Sequence, residues 1–431
     1  MRIAMVSEHA SPLAVVGRVD AGGQNVHVAA LAAHLVRRGH QVTVFTRRDD
    51  PDLPTRVRTS AGYDVEHICA GPPTEIPKDD ILEHVPALAR ALEQRWLAER
   101  FDVIHAHFWM SGLATVLAAP LGVPVVQTFH ALGTVKLRHQ GLRDTSPPQR
   151  LAAETQLCGQ VDRVIATCSD EVAELTAMGM DRDRIDVVPC GVDVDLFTPG
   201  LPGPGLSFTP ADAGSGQRLA AQPFTPVDAR PGLRPAARRR HLLTVGRLVE
   251  RKGVADVIMA LAGLPDDVDL LVAGGPGPDA LDADPEVERL RKVAAGCGVT
   301  DRVRFLGAVA RTAMPALFRS ADVVVAVPWY EPFGIVPLEA MACARPVVAS
   351  AVGGMLDSVV PGITGELVPP QDPAALARTL RPLLADPALR RAQGSAGRQW
   401  VSREYRWESI GARTESVYLS MTADLSMAVP S

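Results

Sequence analysis

The chain has 431 residues, 47 % of them hydrophobic and 22 % charged, with a formal net charge of −5. That length predicts two or three domains, and that balance is an ordinary globular one, which excludes disorder over most of the chain. The slight acidity leaves no general electrostatic footprint for nucleic acid or an anionic membrane surface, both of which need concentrated Lys and Arg.

The opening run, Met1 to Ser7, meets acidic and polar residues after six positions, too short for the apolar region of a signal peptide. No apolar run approaches the roughly 18 residues of a membrane span. A cytoplasmic protein without stable membrane insertion is expected. Short β-branched runs then occur at Ile3–Ser7, Gln41–Thr46, Asp102–His107, Pro124–His130, Arg163–Cys168 and Ile185–Pro189, separated by segments of helical length. One of these, Gln24–Arg38, sets Val28, Leu31 and Leu35 at helical spacing and meets Gly39, a residue suited to ending a helix. Asp79–Arg100 is an amphipathic helix candidate whose five acids outnumber its three arginines, unlike a basic membrane-docking helix.

Residues 199–240 hold eight prolines and six glycines in 42 residues, one third of the segment, without apolar periodicity, and read as a linker or insertion. Phe-Thr-Pro recurs from Phe197, Phe208 and Phe224, as in a slipped low-complexity insertion, and the basic run Arg234–His241 reads as solvated linker. From His241 the alternation resumes, with strands expected at His241–Val245, Asp269–Gly274, Arg302–Gly307, Asp322–Val327, Pro346–Ser350 and Glu366–Val368. Strands alternating with helices predict an α/β fold of two doubly wound units with parallel sheets, residues 1–198 and 241–404.

Only four of the 44 basic residues are lysines, Lys78, Lys136, Lys252 and Lys292, so each lysine is a candidate for functional selection. Lys252 follows a strand ending at Gly246-Arg247. Ligands of open parallel sheets sit outside the carboxyl ends of the strands, so an Arg fork and a Lys point charge there suit a diphosphate. Glu331–Glu339 (EPFGIVPLE) follows another buried strand. Pro332 and Gly334 delay the helix and Pro337 is tolerated in its first turn, so amides near Gly334–Val336 point at an anion. Two carboxylates beside a phosphate site accept hydrogen bonds from hydroxyls, which implies a phosphorylated polyol such as a nucleotide sugar.

Gly246-Arg247 with Lys252, followed by Glu331 and Glu339, resembles the retaining GT-B glycosyltransferases of family 4. Asp20–Asn25 (DAGGQN) resembles that family's glycine-rich acceptor loop, Asp102–His107 its strand signature, and Gly191-Val192-Asp193 through Phe197 a further shared segment. The resemblance covers nearly the whole chain apart from 199–240. His105–Gly112 and Val135–Gly141 resemble the branch holding mycothiol-type inositol phosphate N-acetylglucosaminyltransferases and sucrose-phosphate synthases.

The resemblance implies two Rossmann-like domains facing across a cleft: 1–198 for the acceptor, 241–404 for the nucleotide sugar, and 405–431 as a helix crossing back to the first domain, then a tail. It implies that Arg247 and Lys252 bind the donor diphosphate, Glu339 the ribose and Glu331 the sugar hydroxyls. Phe333, Gly334, Ile335 and Val336 complete that pocket, His130 contacts the donor sugar, and Gly23 lets backbone approach the diphosphate. The catalytic set would be His130, Arg247, Lys252 and Glu331, in a retaining transfer from a UDP-sugar to a small soluble acceptor. Gln24, Asn25, Lys78, Phe108, Lys136 and Arg150 would face that acceptor. In the inositol phosphate branch a tyrosine and a threonine help a matching lysine and arginine hold the acceptor phosphate; here Phe108 and Ala131 stand in their places, which puts a phosphorylated inositol in doubt but not another anionic acceptor. Gly353–Asp357 and Cys190 also depart from the family pattern.

No metal or cofactor is expected. Asp193-Val194-Asp195 follows a strand end and is not read as a metal motif, and His105 and His107 share a strand face with no acidic or Cys partner. No strand–GxGxxG–helix run suggests a nicotinamide or flavin enzyme. The six cysteines, the closest pair ten residues apart, read as buried free thiols. Two alternatives stay open: a nucleotide-sugar epimerase or hydrolase of the same fold, and a non-catalytic nucleotide-sugar-binding protein. Oligomeric state is open, a homodimer included.

Overall fold

The computed structural model describes residues 1–14, 22–200 and 239–428. Most of the 199–240 segment, including Phe208 and Phe224, and Asp20 and Ala21 of the glycine-rich loop lie outside the described residues.

The first half builds one sheet from β1 (Arg2–Val6), β2 (Gln41–Arg47), β3 (Arg56–Arg58), β4 (Asp64–Ile68), β5 (Val103–His107), β6 (Val125–Thr128), β7 (Arg163–Ala166) and β8 (Ile185–Val187). Their order is β3-β4-β2-β1-β5-β6-β7-β8, parallel throughout except that β3 runs antiparallel to β4. The second half builds β9 (Arg240–Val245), β10 (Val268–Ala273), β11 (Val303–Gly307), β12 (Val323–Ala326), β13 (Val347–Ser350) and β14 (Gly365–Val368), ordered β11-β10-β9-β12-β13-β14 and wholly parallel. Helices cover both faces of each sheet, so central strands such as β5, β10 and β12 are buried along their whole length.

Sheet order reverses between β1 and β5 in the first half and between β9 and β12 in the second. At such a switch point the neighbouring loops diverge and leave a crevice at the carboxyl ends of the strands.

The strands expected from the sequence are all present, but β3 and β4 were not foreseen. β4 reads Asp-Val-Glu-His-Ile, and its polar residues hide the apolar alternation: Glu66 is buried because Arg95 pairs with it, and His67 because its Nδ1 lies 2.7 Å from the Pro54 carbonyl. The amphipathic segment after Pro77 divides into a 3-10 turn, Lys78–His84, and a helix, Val85–Ala98, with Pro86 in its first turn. The helix Gly23–Arg37 ends as its glycine suggests: Gly39 has φ +91°, and His40 N–H bonds back to the Leu35 carbonyl.

The chain changes cores at Gly191. Cys190 packs with the first sheet and Val192, Val194 and Phe197 with the second, although the expected first domain runs to 198. It returns between Tyr405, in the second core, and Trp407, in the first. The crossings lie side by side, with Val192 N–H donating to the Tyr405 carbonyl at 2.7 Å. The helix Trp407–Ala428 then packs on Gly23–Arg37, and its Tyr418 hydroxyl hydrogen-bonds His105 at 2.7 Å.

Candidate active site

Lys252 ends a 3-10 turn, Glu250–Lys252, just beyond β9. Gly253 comes next at φ +71° and begins the helix Val254–Leu261; a Cβ there would stand 2.0 Å from the Val327 carbonyl, so this close approach to the end of β12 requires glycine. Trp329 N–H donates to the Arg251 carbonyl at 2.9 Å and fastens the two strand ends together. Lys252 is thereby set against Glu331, with which it forms an ion pair.

The pair is mutually compensating. Burial lowers the Lys252 pKa while Glu331 opposes that shift. Burial raises the Glu331 carboxyl, but Lys252 and Arg251 outweigh it and leave that carboxyl below the usual range. Arg247 stands exposed at the lip and makes no ion pair with the described residues. Arg251 and Lys252 act on that one carboxylate and Arg247 acts on both of them, a local positive excess suited to phosphate.

The other carboxylate, Glu339, sits in the helix Ile335–Ala342, buried, with Arg311 Nη1 2.9 Å from its Oε1. Burial pushes its carboxyl up to about 7 despite the arginine. Gly334 precedes that helix, and the loop before it is gripped by Gly354, whose N–H donates to the Glu331 carbonyl at 3.0 Å. Gly353 has φ +47°, and a Cβ on it would stand 2.3 Å from the same carbonyl. Across the cleft, a Cβ on Gly23 would meet Ile335 Cδ1 at 3.2 Å and Phe333 at 3.5 Å. The N-termini of Gly23–Arg37 and Ile335–Ala342 therefore converge, and both present first-turn amides and positive dipole ends. Val336 is half-buried on the first turn of the second helix.

His130 lies just past β6 at φ +62° and is buried, its ring 5.2 Å from that of Phe333. Its Nε2 lies 2.9 Å from His107 Nδ1, and its own Nδ1 has no partner among the described residues. His27, His105 and His107 complete a cluster of imidazoles. Burial drives their pKa values down, His27 to about 4 and His105 to about 3, with His107 and His130 well below the ordinary value. The cluster is neutral, and His130 serves as a hydrogen-bonding group. No His, Cys, Asp or Glu group among the described residues has the arrangement to hold a metal. Asp193 instead accepts from the N–H groups of Asp195 and Leu196, closing a turn.

On the first domain, Phe108 lies just past β5 at φ +82° and ψ 156°, an extended positive-φ conformation costing on the order of 1–3 kcal/mol for a residue with a Cβ. Lys78 Nζ and Arg150 Cζ lie 5.0 and 5.2 Å from its ring centre. Arg150 is buried and engaged on every side: Nε with Glu154 at 2.8 Å, Nη1 with Ser146 at 3.2 Å, Nη2 with the Ala131 carbonyl at 2.5 Å. Lys136 meets Asp144 and the same Ser146 at 2.8 Å. Gln24 Nε2 donates to Ser7 and the His107 carbonyl, and both ends of the Asn25 amide bind loop backbone, at Gly22 N–H and the Ser11 carbonyl. These two side chains clamp the glycine turn.

The structure brings together Arg247, Lys252, Glu331, Phe333 and His130, and separately Lys78, Phe108, Arg150 and Lys136. Sequence reasoning did not single out Arg251, Arg311, His27 or the Glu8-His9 pair that abuts Phe108. Arginine is too common here for Arg311 to stand out, whereas a Ser-Glu-His run straight after the first strand was a readable signal.

Residues 21–196 match the profile of Glycosyltransferase Family 4 and residues 228–400 that of Glycosyl transferases group 1. The D-inositol 3-phosphate glycosyltransferase of Xylanimonas cellulosilytica is 38 % identical, over 98 % of this chain and 97 % of its own length. That of Streptomyces coelicolor is 36 % identical over 97 % and 91 %. Among solved structures, the sucrose-phosphate synthase of Thermosynechococcus elongatus superposes with a TM-score of 0.83 at 33 % identity, covering 98 % of this chain and 99 % of that one. The chain belongs to the family 4 glycosyltransferases and has their GT-B fold.

Proposed function

We propose that this glycosyltransferase moves a hexosyl or N-acetylhexosaminyl group, with retention, from a nucleoside diphosphate sugar to a hydroxyl of a small anionic polyol or sugar. The observation that carries the reading is the Lys252–Glu331 pair beside Arg247, which has no ion pair among the described residues, together with two convergent helix N-termini and a His130 nitrogen that has no partner among the described residues. Arg247 and Lys252 bind the diphosphate, Glu339 accepts from the ribose, and Glu331 and His130 hold the sugar. As the bond from the anomeric carbon to the phosphate oxygen breaks, its electron pair stays on that oxygen, where the cations and helix dipoles stabilise it. The acceptor oxygen bonds to the same face of the carbon, and its proton passes to the leaving phosphate. Catalysis is then positioning and electrostatics, and the protein's own cations supply the charge.

Uridine is the base favoured by the branch resemblance. The curated relatives are named for inositol 3-phosphate; Lys78 and Arg150 suit such an anion, while Phe108 and Ala131 offer it no hydroxyl. No helix of the described residues is long and apolar enough to cross a membrane, and none of the six cysteines is paired, which suits a reducing compartment such as the cytoplasm.

The test is a melting-temperature screen of nucleotide sugars, followed by product analysis with phosphorylated polyols in the presence of a chelator. A donor that binds the folded state raises Tm, and transfer yields a glycoside with the donor's anomeric configuration. Donor binding with no glycoside from any acceptor, or an inverted product, would overturn the reading.

A further inference from the structure

The loop that carries Glu331 from β12 to the helix Ile335–Ala342 belongs to the second domain, yet the residues on either side of Glu331 meet the first. Tyr330 packs against the first core, its ring stacked on that of His139 with centroids 5.6 Å apart and planes 16° from parallel. Burial, and then Glu171, Cys168 and Asp170 of the first domain, raise the pKa of its hydroxyl. On the other side, the Pro332 carbonyl accepts from the Thr167 hydroxyl at 3.4 Å. Trp329, one residue earlier, stays with the second domain, where its side chain bonds Asp256 and its N–H the Arg251 carbonyl. The chain thus passes from one domain's anchor to the other's within two residues of the carboxylate.

A second contact spans the same seam. The helix Ser169–Ala177 starts after Cys168, whose side chain gives it no cap. Asp357 of the second domain takes that place: one carboxylate oxygen accepts from Ser169 N–H at 2.7 Å and the other from the Ser169 hydroxyl. First-turn amides and the helix dipole favour a carboxylate there, so Asp357 is a cap supplied from the opposite domain. Asp357 lies in the short helix Gly354–Ser358, whose Gly354 grips the Glu331 carbonyl. Trp400 and Tyr405 hold that helix from behind, through the Ser358 and Asp357 carbonyls at 3.0 and 2.9 Å. The Arg143–Glu250 ion pair also crosses the seam, but both side chains are exposed and solvent screens it.

We propose that Tyr330 and Asp357 are positioning residues for Glu331: the carboxylate reaches its working place only while the first domain seats the Tyr330 ring on His139 and takes Asp357 as the cap of Ser169–Ala177. The inference rests on the glycosyl-transfer reading above. It adds that the first domain, besides facing the acceptor, sets the carboxylate that holds the donor sugar.

The experiment uses the full chain, with UDP-N-acetylglucosamine and D-inositol 3-phosphate for turnover and small-angle X-ray scattering with UDP bound. Asp357→Ala lowers kcat about tenfold and Tyr330→Ala about 10- to 100-fold, the effect of a misplaced carboxylate, while the donor KM stays within about threefold because the cations for the diphosphate are untouched. Adding Ser169→Ala to Asp357→Ala costs nothing further, since the two residues form one contact. Tyr330→Phe keeps the stacked ring and stays within about threefold of the unmutated kcat. Both alanine variants still bind UDP by calorimetry, with a larger radius of gyration than the unmutated chain. Should Tyr330→Ala fail to fold, Asp357→Ala, at a half-buried position, carries the test. Unchanged kcat in the folded variants, additive losses for Asp357 and Ser169, or an unchanged radius overturns the proposal. An unmutated chain that binds UDP but transfers nothing overturns the transfer reading and, with it, the role assigned to Glu331; the radius then shows separately whether Tyr330 and Asp357 hold the seam.

Discussion

On the proposed reading, in which the second domain takes the donor and the first the acceptor, the two walls of the cleft handle charge differently. On the donor wall the carboxylates Glu331 and Glu339 each have a cation, and Arg247 has no ion pair among the described residues, so the site keeps a positive excess for a diphosphate. On the acceptor wall the cations are already answered, Arg150 by Glu154 and Lys136 by Asp144, while Lys78 lies against an aromatic face. The donor wall is built to take up charge; the acceptor wall is built to take up shape, with charge as a secondary contribution. A diphosphate is common to many donors, and the group that varies between enzymes of one fold is met by the second kind of surface.

The strongest way to break this contrast is Lys252→Ala. Removing a preorganised cation aimed at the developing phosphate charge is expected to lower kcat by about 10²- to 10³-fold. It also strands Glu331, at a cost below the roughly 3–5 kcal/mol of a fully buried broken pair, because both side chains retain some exposure. Adding Glu331→Gln removes the stranded charge, so the double variant is expected to regain Tm but not turnover. Recovery of both would show that the pair is structural and that the donor wall has no special need of cations.

Legibility divides along the same line. Lys252, Glu331 and Glu339 lie in two short segments whose spacing along the chain is their spacing in space, because each runs from a strand directly into a helix. Arg311 arrives from the loop after β11, one arginine among forty, and nothing local marks it as the partner of Glu339. The acceptor wall is assembled from the ends of β1 and β5, the 3-10 turn at Lys78 and the helix at Arg150, so proximity there is a product of sheet order. Lys78, Phe108 and Arg150 were reached through family resemblance. β3 and β4 escaped for a related reason: a buried Glu66 is intelligible only once Arg95 is seen across from it.

A second test sharpens the donor side through pH. The Glu339 carboxyl lies near 7, raised by burial, and ionises as pH rises through that value. The ionised form accepts from ribose hydroxyls better than the protonated form, so donor binding strengthens with pH. Between pH 6 and 8 the Kd of a nucleotide sugar, whose diphosphate is charged throughout, is expected to fall by up to about tenfold. Arg311 pulls the carboxyl down, so Arg311→Ala should move the midpoint to higher pH. A pH-independent Kd measured by calorimetry would remove Glu339 from the ribose site.

The smallest effect tests the acceptor wall. Phe108→Tyr adds one hydroxyl at the edge of a ring that already has Lys78 and Arg150 about 5 Å from its centre. If the pocket is otherwise in place for a phosphate, the new donor is worth one hydrogen bond, a net of about 0.5–1.5 kcal/mol, or a two- to tenfold rise in kcat/KM for a phosphorylated polyol. The same change should leave an unphosphorylated polyol unaffected, because the added group meets no oxyanion there. A gain of equal size on both acceptors would mean that Phe108 limits access through its shape alone, and that Lys78 and Arg150 brace the wall without reading the acceptor's charge.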